Sequence, residues 1–183
     1  MTALPDFIPY YSMHGLVNFL TKQGANLDEL LSLLACEASD LTNDNRQFTL
    51  TEYEKLNQYA TQTLKCPNIG FKHGAVFEVG EWGILGHIVM ASENLWQALA
   101  YQKRYQCLIN AMGQAYHEVQ GNNVIMRWLS EPNASANSIE QVITAWVCFA
   151  FNQTITEDKP QSVHFVHPPI AGVDIADYES FFG

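Results

Sequence analysis

Residues 83–108, GILGHIVMASENLWQALAYQKRYQCL, decide how the chain is read. The stretch opens as an apolar helix face carrying Gly83 and Gly86 and closes on the cation pair Lys103-Arg104 set among tyrosines. Between them, Ala91-Ser92-Glu93-Asn94 is a helix-start signal. Ser92 is expected to cap a helix reaching about Ile109, with Glu93 in its first turn where it complements the helix dipole. Ala98, Tyr101, Tyr105 and Leu108 fall on one stripe of that helix and are its expected apolar face. Gly80, Gly83 and Gly86 do not form a nucleotide loop. A dinucleotide turn needs G-x-G-x-x-G after a strand, and a P-loop needs Gly-Lys-Ser/Thr opening its helix, whereas Gly86 is followed by His87. Glycines three apart read instead as points of close helix packing.

Upstream, the pattern is helical. Tyr10, Met13, Val17 and Leu20 follow helical spacing up to a stop at Gly24. Asn26 then caps a second helix, LDELLSLLAC, whose Asp28 and Glu29 lie in its first turn. Residues 40–48, DLTNDNRQF, form a polar connector. In TLTEYEKLNQYATQTL, Thr51 and Glu54 have capping-box spacing. Residues 1–65 are therefore expected to form a helical lobe. The glycine-rich stretch CPNIGFKHGAVFEVGEWG (66–83) reads as loop with a helical turn, and helix resumes near Trp82.

Downstream the period changes. GQAYHEVQ and VIMRWL, separated by Gly-Asn-Asn, predict a β-hairpin. EPNASAN is a turn cluster, and Ser138 with Gln141 has capping-box spacing ahead of VITAWVCFAFNQTI. That segment is apolar on nearly every face, so a central helix buried against the sheet is expected. QSVHFVH alternates like a strand ended by Pro168-Pro169, and DIADYESFFG closes the chain as a short helix. The expected fold class is α+β: one domain, with the helical lobe followed by a small, mainly antiparallel sheet packed on helices in 66–183.

The chain has 183 residues, 48% of them hydrophobic and only 15% charged, with a net charge of −10. This is a globular profile. Affinity for nucleic acid rests on cations that neutralise phosphates, so the chain itself is a poor DNA or RNA binder. Cys36, Cys66, Cys107 and Cys148 lie far apart with no C-x-x-C, and nothing in MTALPDFIPYYSMHGL resembles a signal peptide. A reducing cytoplasm is the expected compartment. The longest near-apolar run, Val142 to Phe151, is too short to span a bilayer.

No catalytic frame emerges. There is no G-x-S-x-G elbow, and Cys148 lies in the apolar helix, where a thiol behaves as a small hydrophobe. His164 and His167 on a strand would point to opposite faces and fail to converge on one metal. No metal or cofactor is expected. Trp82, Trp96, Trp128 and Trp146 read as core or as walls of an apolar or sugar-stacking pocket. Arg104, beside the aromatic stripe, is either a surface ion-pair residue or the anchor for a carboxylate.

The series Gly83, Leu85-Gly86, Ala91-Ser92, Leu95, Ala98-Leu99, Arg104-Tyr105 and Leu108 resembles the effector-binding N-terminal domain of AraC/XylS transcription regulators, in the branch of the ornithine-utilisation regulator. Residues 20–56, GFKHGAVFEVGEWGILG, the hairpin, the buried helix, VHFVHPP and DYESFFG resemble that family's other segments in order. The break here is Ser-Glu-Asn, where the family often has threonine. The resemblance implies a ligand-sensing, dimerising domain and no enzyme, with DNA contacted only through a C-terminal pair of helix-turn-helix motifs beyond Gly183. It implies a homodimer without membrane attachment and a small-molecule effector, carboxylate-bearing if Arg104 anchors it. The expected pocket is largely apolar with few polar anchors. Its candidate residues are Trp82, His87, Trp96 and Tyr101, together with Arg104, Tyr105, Trp128 and Trp146. Two other readings stand beside this one: an oligomerisation module that binds no ligand, and a small thiol-dependent enzyme.

Overall fold

The computed structural model describes residues 7–109, 112–153 and 159–183. Its helices are α1 (Tyr10–Lys22), α2 (Leu27–Leu34), α3 (Leu50–Gln62), α4 (Ile69–Ala75), α5 (Gly83–Met90), α6 (Leu95–Tyr105), α7 (Ala136–Gln153) and α8 (Ile175–Phe182). Two short strands, β1 (Ile8–Pro9) and β2 (Gln47–Phe48), pair antiparallel and bury Ile8 against Phe48. The hairpin of β3 (Gly113–Gln120) and β4 (Asn123–Ser130) is the larger sheet. The fold is α+β. Among the described residues, no helix is long and apolar enough to cross a membrane.

Local chemistry explains most of the boundaries. Gly24 adopts φ +97° after α1, a conformation that glycine alone reaches without strain. Asn26 Oδ1 accepts from the amides of Asp28 and Glu29, as the cap reading of α2 required. The hairpin turns tightly at Gly121-Asn122, with Gln120 opposite Asn123 and Gly121 at φ +61°.

Four boundaries differ from expectation, and each has a local reason. The capping box of α3 is Thr49 with Glu52, because Thr51 already lies inside the helix. Asn94 caps α6 by accepting from the Gln97 amide, while Ser92 Oγ donates back to the Ile88 carbonyl. Ser138 lies within α7, and its amide donates to Ser135 Oγ at 3.4 Å. Residues 163–167 form no strand. No neighbouring strand offers a ladder there, and Val166 is 92% exposed. Residues 154 and 155, the expected end of the buried helix, lie outside the described residues.

Helix α7 is central, as its apolar faces implied, but it packs chiefly on α4 and only slightly on the sheet. The reason lies in two glycines read from sequence as loop. A Cβ at Gly70 would overlap the Asn137 carbonyl, and one at Gly74 would press on the Gln141 carbonyl and Thr144. Polar ties fix the same contact. Asn137 Oδ1 accepts from the Gly70 amide at 2.9 Å and its Nδ2 donates to the Pro67 carbonyl at 3.0 Å. From α3, Glu54 Oε1 accepts from the Ser135 amide at 2.8 Å and from Ser138 Oγ at 2.7 Å, while Asn57 donates to Ser138 Oγ. The main core runs through the helical lobe and continues into Met112, Ala115, Val142 and Trp146.

Helix α8 seals the far side of α4. Its Tyr178, Phe181 and Phe182 surround Phe71, with ring centroids 4.5–5.9 Å apart. Tyr178 Oη donates to Glu140 at 2.8 Å, and His167 Nε2 lies 3.8 Å from the same carboxylate. Burial raises the Glu140 carboxyl above its ordinary value; the Tyr178 hydrogen bond and His167 pull it down but do not win.

Gly70→Ala is expected to lower unfolding free energy by about 3 kcal/mol in urea titrations, as overpacking against backbone does. Gly80→Ala should change it by less than about 0.5 kcal/mol, because open space surrounds that position. Glu140→Gln retains an oxygen for Tyr178 and removes the buried charge. A carboxyl raised by folding stabilises the native state at low pH and loses that contribution as pH rises through its folded value. The variant should therefore be more stable than the parent at pH 7, with the difference vanishing below the ordinary carboxyl range. Parallel unfolding curves across pH check this.

Candidate functional site

Where the helical lobe, α6, the hairpin and α7 meet, they leave a partly open cavity of about 30 Å³. One water needs roughly 10–15 Å³ on this measure, so the cavity is water-sized as it stands. Each wall comes from a different element. Tyr53 enters from α3, Phe77 and Trp82 from the segment before α5, Trp128 from β4 and Trp146 from α7. Trp128 and Trp146 meet edge to face at 5.7 Å, while Trp82 leans on Phe77 at 4.6 Å and on Phe149 at 5.3 Å. Such pairs hold ring planes in fixed directions.

The polar lining is sparse. Gln106 bridges both main-chain groups of Ala115, so it ties the end of α6 to β3. Gln102 and Gln141 also line the cavity; their side-chain amides form no hydrogen bond among the described residues and keep some contact with solvent. The Tyr53 hydroxyl is likewise without a hydrogen bond there, and burial followed by the nearby Glu81 and Glu54 charges pushes its pKa well above the ordinary phenol value. It remains a neutral donor.

Glu81 is the one formally charged residue in the lining. Its Oε2 lies 2.9 Å from His73 Nε2, off the line of a good hydrogen bond, and the His73 ring stacks on Phe19 at 4.9 Å. Its Oε1 accepts from the Glu78 amide, and Ser12 Oγ donates to its carbonyl at 2.7 Å. A side chain at Gly15 would occupy the carboxylate's place, so glycine in α1 leaves the space in which Glu81 stands.

Of the eight residues expected at a pocket, Trp82, Trp128 and Trp146 line this cavity. The other five lie elsewhere. Tyr101 and Tyr105 pack on a neighbouring cluster of Leu85, Val89, Ala98, Ile109 and Phe149. Arg104 is exposed, with its guanidinium 5.4 Å above the Tyr105 ring. His87 is exposed on α5, and Trp96 is 51% exposed at the start of α6. Leu108, expected on the buried stripe, is exposed too. Gly86 and Gly83 do mark close approaches, to the Val79 carbonyl and the Tyr11 ring, while nothing crowds Gly80.

Sequence reasoning missed Glu81, Gln102, Gln141 and Tyr53. A signal existed for two of them, since Gln102 and Gln141 are amides on otherwise buried helix faces. Burial raises the pKa of both Cys36 and Cys148, and Cys148 Sγ faces the carbonyls of Ala75 and Phe77. The Cys107 side chain lies outside the described residues.

Rings fixed on several sides and a few polar side chains make up the lining of this cavity. The sequence profile of the arabinose-binding N-terminal domain of AraC transcription regulators matches residues 24–183. The chain belongs to that family, whose members are ligand-sensing regulatory domains of transcription regulators. No curated protein matches the chain.

The Gln102 and Gln141 amides keep contact with solvent and make no hydrogen bond within the described fold, so they contribute little to its stability. Gln102→Leu and Gln141→Leu should therefore leave stability unchanged or raise it by about 1 kcal/mol. A loss of more than 1 kcal/mol in urea unfolding would show that these amides serve the fold.

Proposed function

We propose that the cavity between Trp82, Trp128 and Trp146 is the effector site of an AraC-type regulator, and that its occupancy sets how an attached DNA-binding segment is presented. The observation that carries this reading is an aromatic-walled cavity shared by four parts of the fold, with Gln102, Gln106 and Gln141 as sparse polar members of its lining. A fold optimised for stability alone would have closed that space with apolar side chains. Because the space is water-sized, an effector must bind an opened form, and it shifts the balance only by its differential affinity for that form.

The acidic surface charge fits a sensor whose DNA contacts are made by another part of the regulator. The Leu85-Gly86 to Arg104-Tyr105 series supports the ornithine-utilisation branch, and a cytoplasmic homodimer is the working state. For the dimer face, the exposed apolar side chains of Ile84, Met90, Leu95 and Trp96 along α5 and the start of α6 are the best surface available. Arg104 stands outside the cavity, so a carboxylate anchored by it would bind at the surface of α6 and not among the tryptophans.

A thermal-shift screen of metabolites tests the proposal. An effector at a hundred times its Kd should add about 2.7 kcal/mol, a rise of roughly 5–10 °C for a chain of this size. Trp146→Ala should abolish the shift and Arg104→Ala should leave it intact. A shift that survives Trp146→Ala and disappears with Arg104→Ala would move the site to the surface of α6.

A further inference from the structure

Resting on the reading of the cavity as the effector site, we infer that the effector carries a planar carboxamide edge, as in a primary amide or a lactam, which takes the place of the Gln106 side chain on Ala115. The cavity wall already holds such a group. Gln106 Oε1 accepts from the Ala115 amide, and Nε2 donates to the Ala115 carbonyl at 3.2 Å and to the Lys103 carbonyl at 3.3 Å. Both Gln106 and Ala115 line the cavity. Among the described residues β3 pairs with β4 alone, so its other edge has no strand beside it. At Ala115 a side-chain amide fills that place.

This pair of main-chain groups selects its partner. The Ala115 N–H needs an acceptor and the carbonyl needs a donor. A carboxamide supplies both in one plane. A carboxylate would set a second acceptor against the carbonyl oxygen, and an ammonium would set a second donor against the N–H. The rest of the lining offers no free charge. Glu81 Oε1 is held by the Glu78 amide and Oε2 faces His73 at 2.9 Å, while neither lysine nor arginine lines the cavity. Gln102 and Gln141 add further neutral donors and acceptors.

The walls suit a flat molecule behind that edge. Trp128 lies opposite Ala115 in the hairpin and meets Trp146 edge to face at 5.7 Å. Exchange also accounts for the room an effector needs. The cavity is water-sized while the Gln106 side chain stands in its wall, and withdrawing that side chain enlarges it. The same step releases the end of α6 from β3, so occupancy and the seating of α6 become linked.

The test uses flat probes that share one ring and differ in one substituent: benzamide, acetophenone, benzoate and benzamidinium. Binding is followed by tryptophan emission, since three of the four tryptophans line the cavity, and by ligand-observed NMR. Benzamide is expected to saturate at a Kd about tenfold or more below those of the others, acetophenone falling behind because it has no N–H to donate. Gln106→Ala removes the internal competitor and should tighten benzamide by about tenfold while leaving benzoate unchanged. If that variant does not fold, the ranking of the probes on the parent chain decides alone. A folded Gln106→Ala variant that binds benzamide no better than the parent would overturn the exchange. Saturable, Trp146-dependent binding of any other probe at or above the affinity of benzamide overturns the carboxamide inference while supporting the effector site. Failure of benzamide to saturate overturns it too, and the metabolite screen then judges the site independently.

Discussion

The contact between α4 and α7 is the constraint on which the rest depends. Two glycines four residues apart let the backbones approach until Asn137 reaches the Gly70 amide and the Pro67 carbonyl. Glu54 and Asn57 fasten the start of α7 to α3 in the same region. These are buried polar ties whose loss would leave unpaired groups, so they fix register as well as adding stability. With α7 locked in depth and rotation, Gln141, Val142 and Trp146 point to one side and Glu140 to another.

That rotation gives α7 two faces with different duties. One closes the cavity; the other carries the C-terminal part of the chain through Glu140, Tyr178 and His167, supported by the rings around Phe71. A ligand that shifts Trp146 acts on the helix that also holds α8. Close packing transmits such displacements because the α4 contact leaves no slack at Gly70 or Gly74.

Much of the fold was legible because the signals were local. The Asn26 cap, the Gly24 stop, the hairpin turn at Gly121 and the closing helix with its Asp174 cap all depend on a few consecutive residues. The caps at Thr51, Ser92 and Ser138 differ from expectation because a second adequate capping residue lies within two or three positions of each. Ser138 is spent on Glu54 and Asn57, 81 or more residues away, which no local pattern reveals. Residues 163–167 alternate like a strand but find no partner. Alternation alone cannot supply a ladder.

The site was half legible for a related reason. Tryptophans announce buried volume, and Trp82, Trp128 and Trp146 do line the cavity. The α6 stripe was assigned to the pocket because the family-like motif is concentrated there, yet that stripe packs against α5 and Phe149. The decisive polar groups come from four separate elements, and each is unremarkable in its own segment. Glu81 sits in a turn, Gln102 and Gln141 sit in helices, and Tyr53 sits in the lobe. Their shared property is that they line one cavity, a relation between distant segments that no local pattern reveals.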